Sequence, residues 1–156
     1  MHFYPIAVRI DQKPVVIIGA GRIAQRKIKQ VRLFSARVRV VAPKASRYVA
    51  DLGRRGKIDW LKRRYRSSDI RGAQLVIAAT SDRSANEKVS GDARRAGIWV
   101  NVVDHTTACE FIVPAVVRRG KVVVAVSTDG RDPKLSKRVK DYLKRKLNAF
   151  DLNRDR

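Results

Sequence analysis

Three features of this sequence predict an α/β fold, a parallel sheet covered by helices on both faces. The first is a continuous apolar, β-branched run from Pro14 to Ile18, which reads as a strand buried on both faces. The second is the turn that follows at once, Gly19-Ala20-Gly21-Arg22-Ile23-Ala24, opening onto a helical pattern. The third is the alternation of strand-like and helix-like stretches down to about residue 103.

Within the turn each small residue has its own task. The first glycine permits a tight bend, the second lets backbone approach a pyrophosphate, and the third small residue packs helix on strand. Gly19, Gly21 and Ala24 stand at those positions. A helix opening at Arg22 and Ile23 would turn its unpaired N–H groups and positive dipole end toward phosphates. Strand, glycine turn and helix together indicate a Rossmann-type nucleotide-binding domain. A strand-to-helix turn without a ligand is the plainer alternative.

The elements follow in order. Phe3 to Ile10 is expected to form a short edge strand, ended by the polar turn Asp11-Gln12-Lys13 before the first central strand. The helix after the glycines spans roughly 22–34, with Ile23, Ile28, Val31 and Leu33 or Phe34 available to the sheet. Arg37 to Ala42 gives a second strand, stopped by Pro43, and a short helix is expected around 46–52. Ile58 to Leu61 is a third, weaker strand. Leu75 to Ala79 is another buried run ending at Thr80-Ser81-Asp82, followed by a helix over 84–96 with Gly97 as its stop. Ile98 to Val103 closes the series and delivers Asn101 and Asp104.

The pattern changes after Asp104. Residues 111–117 and 121–127 read as two strands about the turn Arg118-Arg119-Gly120. Asp132-Pro133 then starts a helix, with Asp132 as cap. Leu135, Val139, Tyr142 or Leu143, and Leu147 recur at helical spacing on it, among many Lys and Arg. The expected division is a nucleotide-binding domain over 1–113 and a β-rich dimerisation segment with a C-terminal helix over 114–156. The β-rich segment has few obvious partners within the chain, so an intersubunit sheet and a homodimer are expected.

The 156 residues suffice for one full core, and 44% apolar content supports folding despite 32% charged residues. No apolar run approaches a membrane span, and the opening Met-His-Phe-Tyr-Pro lacks a signal-peptide pattern. A single cysteine, Cys109, excludes an internal disulfide framework, fits a reducing cytoplasm, and is read as a core residue. The formal net charge of +22 predicts attraction for polyanions. Nine Lys or Arg and no acid fall between Gly21 and Arg47, so the charge is no tail. Aromatic residues are few and lack an RNA-stacking pattern, which argues against nucleic acid as the partner.

Several blocks resemble the siroheme synthase N-terminal domains, the precorrin-2 dehydrogenases. They are Tyr4-Pro5-Ile6, then 16–27 through the glycine turn, Val40-Val41-Ala42-Pro43, and Val76 to Asp82. They continue with Val100-Asn101-Val102-Val103-Asp104, Cys109 to Ala115, and Ala125 to Gly130. The resemblance implies NAD-dependent oxidation of precorrin-2 to sirohydrochlorin in siroheme biosynthesis. It also implies, in some members, insertion of iron or cobalt, and a homodimer with its active site between subunits. It departs at His105, where the family more often has Asp or a small residue, and at Asp129, where glycine is usual. Family members continue into a larger helical domain, whereas this chain stops soon after its first helix.

The residues themselves are compatible with that chemistry. The substrate carries eight carboxylates, which a cleft of Lys and Arg would attract, and NAD would take the hydride. Candidate cofactor-binding residues are Gly19, Gly21, Arg22, Ile23 and Ala24, with Pro43 and Lys44 after the second strand and Thr80 after the fourth. The usual acid for the ribose is missing there, and Lys44 with Arg47 equally suits a 2′-phosphate, so NADP stays open. Asp104, just past a predicted parallel strand, is the candidate general base, or else a cap for the turn His105-Thr106-Thr107. Asn101, His105, Ser127 and Thr128 are candidate substrate-binding residues. His105 is a proton shuttle or a solvent-facing loop residue, and Ser127 and Thr128 line the cleft or bond within their own turn. No metal-ligand spacing occurs around Cys109.

Two other classes share some of these features. A nucleotide-sensing regulatory domain has the same glycine loop but normally an acid after the second strand, and none stands between Asp11 and Asp51. A basic nucleic-acid-binding protein on this scaffold would lose affinity steeply with salt.

Overall fold

The computed structural model describes residues 2–103 and 105–150; Asp104 lies outside the described residues. Residues 5–111 form one compact unit, and residues 2–4 with 112–150 form a second.

In the first unit the strands are β1 (Pro14–Ile18), β2 (Arg37–Val41), β3 (Asp59–Leu61), β4 (Leu75–Ala78) and β5 (Trp99–Val102). They make one sheet in the order β3-β2-β1-β4-β5, every pair parallel. The order reverses between β1 and β4, and Ile17 faces Ile77 across that seam. The helices are α1 (Arg22–Arg32), α2 (Arg47–Arg54) and α3 (Arg83–Arg95). Ala24, Ile28 and Val31 of α1, with Val49 and Leu52 of α2, pack on Val15, Ile17, Val40 and Ile77. Val89 and Ala93 of α3 pack on Val16, Ile18, Val76 and Val100 from the other side. A strand covered on both faces has no polar side, which is why β1 and β4 are continuously apolar.

Local chemistry sets the helix boundaries. The Ser46 hydroxyl accepts from Val49 N–H at 3.4 Å, and the Asp82 carboxylate accepts from Ala85 N–H at 3.1 Å, each filling an orphan donor of a first turn. Gly97, at φ +64°, follows α3 as its stop. The link from β3 to β4 is held by Asp69, 4% exposed, whose carboxylate takes both Arg63 nitrogens at 2.8 and 2.6 Å and the Arg66 N–H at 2.8 Å. The Arg63 guanidinium holds that carboxyl below the usual carboxylate range, against its burial.

The expected edge strand over residues 3–10 is not formed. Residues 2–10 carry no strand, and Tyr4, Ile6 and Val8 are exposed. The outer edge of β5 is occupied instead by the segment after it. Glu110 N–H donates to Val100 O at 2.9 Å, Val100 N–H donates to the Glu110 carboxylate at 3.3 Å, and Val102 N–H donates to Cys109 Sγ at 3.1 Å. Two side chains thus do the covering that an edge needs.

In the second unit β6 (Ala115–Arg119) and β7 (Val122–Val126) form an antiparallel hairpin about Gly120, and α4 (Pro133–Ala149) follows. Asp132 accepts from Leu135 N–H at 2.8 Å, with Pro133 in the first turn. The apolar β segment does find a partner within the chain, because α4 packs on both β6 and β7. Arg119 of β6 donates to the carbonyls of Leu147 and Phe150, closing the C-terminal end of α4.

Candidate functional site

The site is built at the carboxyl ends of β1, β2, β4 and β5. Gly19 leaves β1 at φ +106°, and a Cβ there would lie 2.4 Å from Ala79 O and 3.0 Å from Thr80 N. Only glycine lets the β1 turn lie against the end of β4. Its own N–H donates to Val41 O at 2.9 Å, so the turn is fastened to β2 as well. Gly21 is different. It sits at φ −77°, and a Cβ there would meet nothing within 4 Å. The space beside its backbone is open.

Gly21 is the N-cap of α1 and brings no side-chain cap. The first helical bond runs from Gln25 N–H to Gly21 O at 2.9 Å, so the Arg22, Ile23 and Ala24 N–H groups precede any intrahelical acceptor. Unpaired first-turn donors, the positive end of the helix dipole and an uncrowded glycine together fit the diphosphate of a dinucleotide.

Pro43 and Lys44 follow β2 in an exposed loop. The loop is tied to the glycine turn through Ser46, whose N–H donates to Ala20 O at 3.0 Å and whose hydroxyl donates to Gln25 Oε1 at 2.9 Å. No carboxylate lies on it, and Asp51 of α2 is already paired with Arg54 and Arg55. Thr80 leaves β4 beside Gly19, and its polar groups are occupied. Its N–H donates to Asn86 Oδ1 at 3.2 Å, its carbonyl accepts from Asn86 Nδ2 at 3.1 Å, and its hydroxyl accepts from Asp82 N–H at 3.1 Å.

At the end of β5, Asn101 is 5% exposed, and its Nδ2 donates to Phe111 O at 3.0 Å. His105 N-caps the short 3₁₀ turn Thr106–Ala108, and its carbonyl accepts from Ala108 N–H at 3.0 Å. Cys109 is buried as expected, and burial pushes its thiol pKa up.

The structure therefore gathers Gly19, Gly21, Arg22, Ile23, Ala24, Pro43, Lys44 and Thr80 about one turn. Ser127 and Thr128 belong to the second unit, where their hydroxyls serve their own turn. The Ser127 hydroxyl accepts from Asp129 N–H at 3.1 Å, and the Thr128 hydroxyl accepts from Asp132 N–H at 3.0 Å. Asp129 takes φ +53°, an angle glycine adopts more easily, and its carboxylate accepts from Phe3 N–H at 3.4 Å. Two residues escaped the sequence reading. Asn86 clamps Thr80, and Gln25 fastens the β2–α2 loop. Asn86 was detectable as a polar residue at core spacing with Val89 and Ala93.

Comparison with known proteins places this geometry. The model of a family described as "Putative NAD(P)-binding" matches residues 6–115. Siroheme synthase 1 of Aeromonas salmonicida (strain A449) is 37% identical over 143 residues, covering 92% of this chain and 31% of that protein. The siroheme synthase of Ectopseudomonas mendocina (strain ymp) is 40% identical over 140 residues, 90% of this chain and 30% of its own length. The chain thus spans about a third of the curated relatives it matches. Among solved structures, "SirC, precorrin-2 dehydrogenase" superposes with a TM-score of 0.76 at 27% identity, covering 96% of this chain and 72% of that one. With the glycine turn, the parallel sheet and a family match over most of its length, this chain belongs to the NAD(P)-binding family and is similar within it to the siroheme synthases.

Proposed function

We propose that this protein dehydrogenates precorrin-2 to sirohydrochlorin with NAD, in the cytoplasm. The likeness to a precorrin-2 dehydrogenase over 96% of the chain carries this reading. Gly19 to Ala24 would hold the diphosphate, with Pro43 and Lys44 on the adenosine side and Thr80 on the β4 side. NAD, when bound, supplies the hydride acceptor. The substrate loses one hydride and one proton, and the chain must take the proton. Asp104, one residue after Val103 beyond β5, is proposed as that base. The cations that dominate the sequence would neutralise the substrate's carboxylates. His105 and, in the second unit, Ser127 and Thr128 are proposed as substrate-binding residues.

The test is an anaerobic assay with precorrin-2 and either NAD or NADP, following sirohydrochlorin absorbance. Product formation with NAD is expected, and a strong preference for NADP would reassign Lys44 and Arg47 to a 2′-phosphate. Asp104→Asn should lower turnover by about two to four orders of magnitude while leaving NAD binding intact. Wild-type turnover in that variant removes Asp104 from the mechanism. A chelatase assay with iron or cobalt on the same variants asks whether this base also serves metal insertion.

Residues 114–156 are proposed to form a homodimer, which would cover the exposed side of the hairpin. Light scattering at stated salt should give twice the chain mass, and a monomer at micromolar concentration defeats this proposal.

A further inference from the structure

We infer that Asn101 Oδ1 is the acceptor for the carboxamide N–H of a bound nicotinamide, an inference that rests on the NAD reading above. Among the described residues, Asn101 Oδ1 is the buried side-chain polar atom without a hydrogen-bond partner. Its orientation is set by its neighbour. Phe111 O is an acceptor, so the amide must turn its N–H₂ toward it, at 3.0 Å, and a flipped amide would oppose two oxygens. The same N–H₂ lies 3.5 Å from Cys109 Sγ. Oδ1 is thereby left with no donor. An unmet buried acceptor is costly and rare in a native fold, and a ligand that brings the donor is one way to meet it.

The position of Asn101 matches such a ligand. Ligands of open α/β sheets bind beyond the carboxyl ends of the strands, at the point where strand order reverses, here between β1 and β4. The β2 side of that point carries Pro43 and Lys44, and the other side carries β4 and β5. With the diphosphate on the α1 turn, one half of a dinucleotide extends toward β2 and the other toward β4 and β5. Asn101 is paired in register with Ile77, which packs in the cluster beneath α1. It therefore faces the side of the sheet on which α1 and the glycine turn lie, near the end of its strand. The nicotinamide carboxamide is the N–H donor that this half of the cofactor carries.

The test is calorimetric binding of NAD, its 3-acetylpyridine analogue, which has a methyl group in place of the amide nitrogen, and ADP-ribose, which lacks the ring. Wild-type protein should bind NAD about tenfold tighter than the analogue, since a site built to accept an N–H penalises a ligand without one. Asn101→Leu should abolish that preference, whereas Asn101→Gln, which keeps both an N–H₂ for Phe111 O and an amide acceptor, should retain it in part. Both variants should bind ADP-ribose as wild type does, which also reports that they are folded. A purely structural role on Phe111 would instead shift all three ligands together in Asn101→Leu. Equal wild-type affinity for NAD and the analogue overturns the inference while ADP-ribose binding leaves the nucleotide site standing. Failure of wild type to bind NAD and ADP-ribose overturns both.

Discussion

The five-stranded sheet and the β6–β7 hairpin are made of the same kind of strand but are buried very differently. β4, Leu-Val-Ile-Ala, is buried at every position, while β7, Val-Val-Val-Ala-Val, alternates half-buried and exposed residues, with Val123 at 47% exposure. The cause is coverage. The sheet has α1 and α2 on one face and α3 on the other, whereas α4 is the helix that packs on the hairpin. Apolar composition makes a strand, and the number of layers around it decides whether those side chains stabilise the monomer or remain available to a partner.

The largest expected effect is in the sheet. Ile77→Ala removes a fully buried side chain at the β1–β4 seam and should cost about 2–5 kcal/mol in denaturant unfolding. A loss under about 1 kcal/mol would mean that the two-sided core is looser than its burial implies.

Next come the two glycines of one turn. Gly19→Ala must place a Cβ 2.4 Å from a backbone oxygen at φ +106°, so a loss of about 3 kcal/mol together with loss of nucleotide binding is expected. Gly21→Ala meets open space, so it should cost about 1 kcal/mol or less as an altered N-cap. Its effect should fall on nucleotide affinity instead. Equal stability losses in the two variants would contradict the division of labour between a packing glycine and a ligand-facing one.

Acid should act on the sheet unit through Asp69. Its carboxyl is held low by the Arg63 side chain, with burial opposing. A group with a lowered folded pKa contributes stability above its unfolded value, near about 3.9, and loses it as pH falls through the folded value. Unfolding scans between about pH 5 and 2 should therefore show a decline that Asp69→Asn flattens. An unchanged slope in that variant assigns the decline to other carboxylates.

The smallest stability effect belongs to the hairpin. Val123→Ala should change monomer stability by no more than about 0.5 kcal/mol, because the side chain is already half in water. If the proposed dimer forms through this hairpin, the same variant should weaken association by light scattering.

Much of this was legible from local order in the chain. The continuous runs at 14–18 and 75–78, the glycine turn between strand and helix, and the Asp132-Pro133 helix start each depend on neighbours a few residues apart. Such patterns survive in a linear reading because strand and helix periodicities are themselves local. The candidate cofactor residues could be proposed for the same reason, since each lies within a few residues of the end of a recognisable strand.

What tertiary contact alone could assign was the partner of each edge and each polar group. Residues 3–10 carry the apolar content expected of an edge strand and form none, while the edge of β5 is taken by Cys109 and Glu110, an arrangement no periodicity encodes. Gly19 and Gly21 look equivalent in sequence, yet one is pressed against Ala79 and the other faces open space. Thr80 follows a strand that the sequence marks plainly, but only the fold shows Asn86 bonded to its N–H and its carbonyl. The common reason is range. Torsional preference and hydrophobic period act within a turn or a strand, while hydrogen-bond partnership and close approach depend on which distant segment the packed core brings alongside.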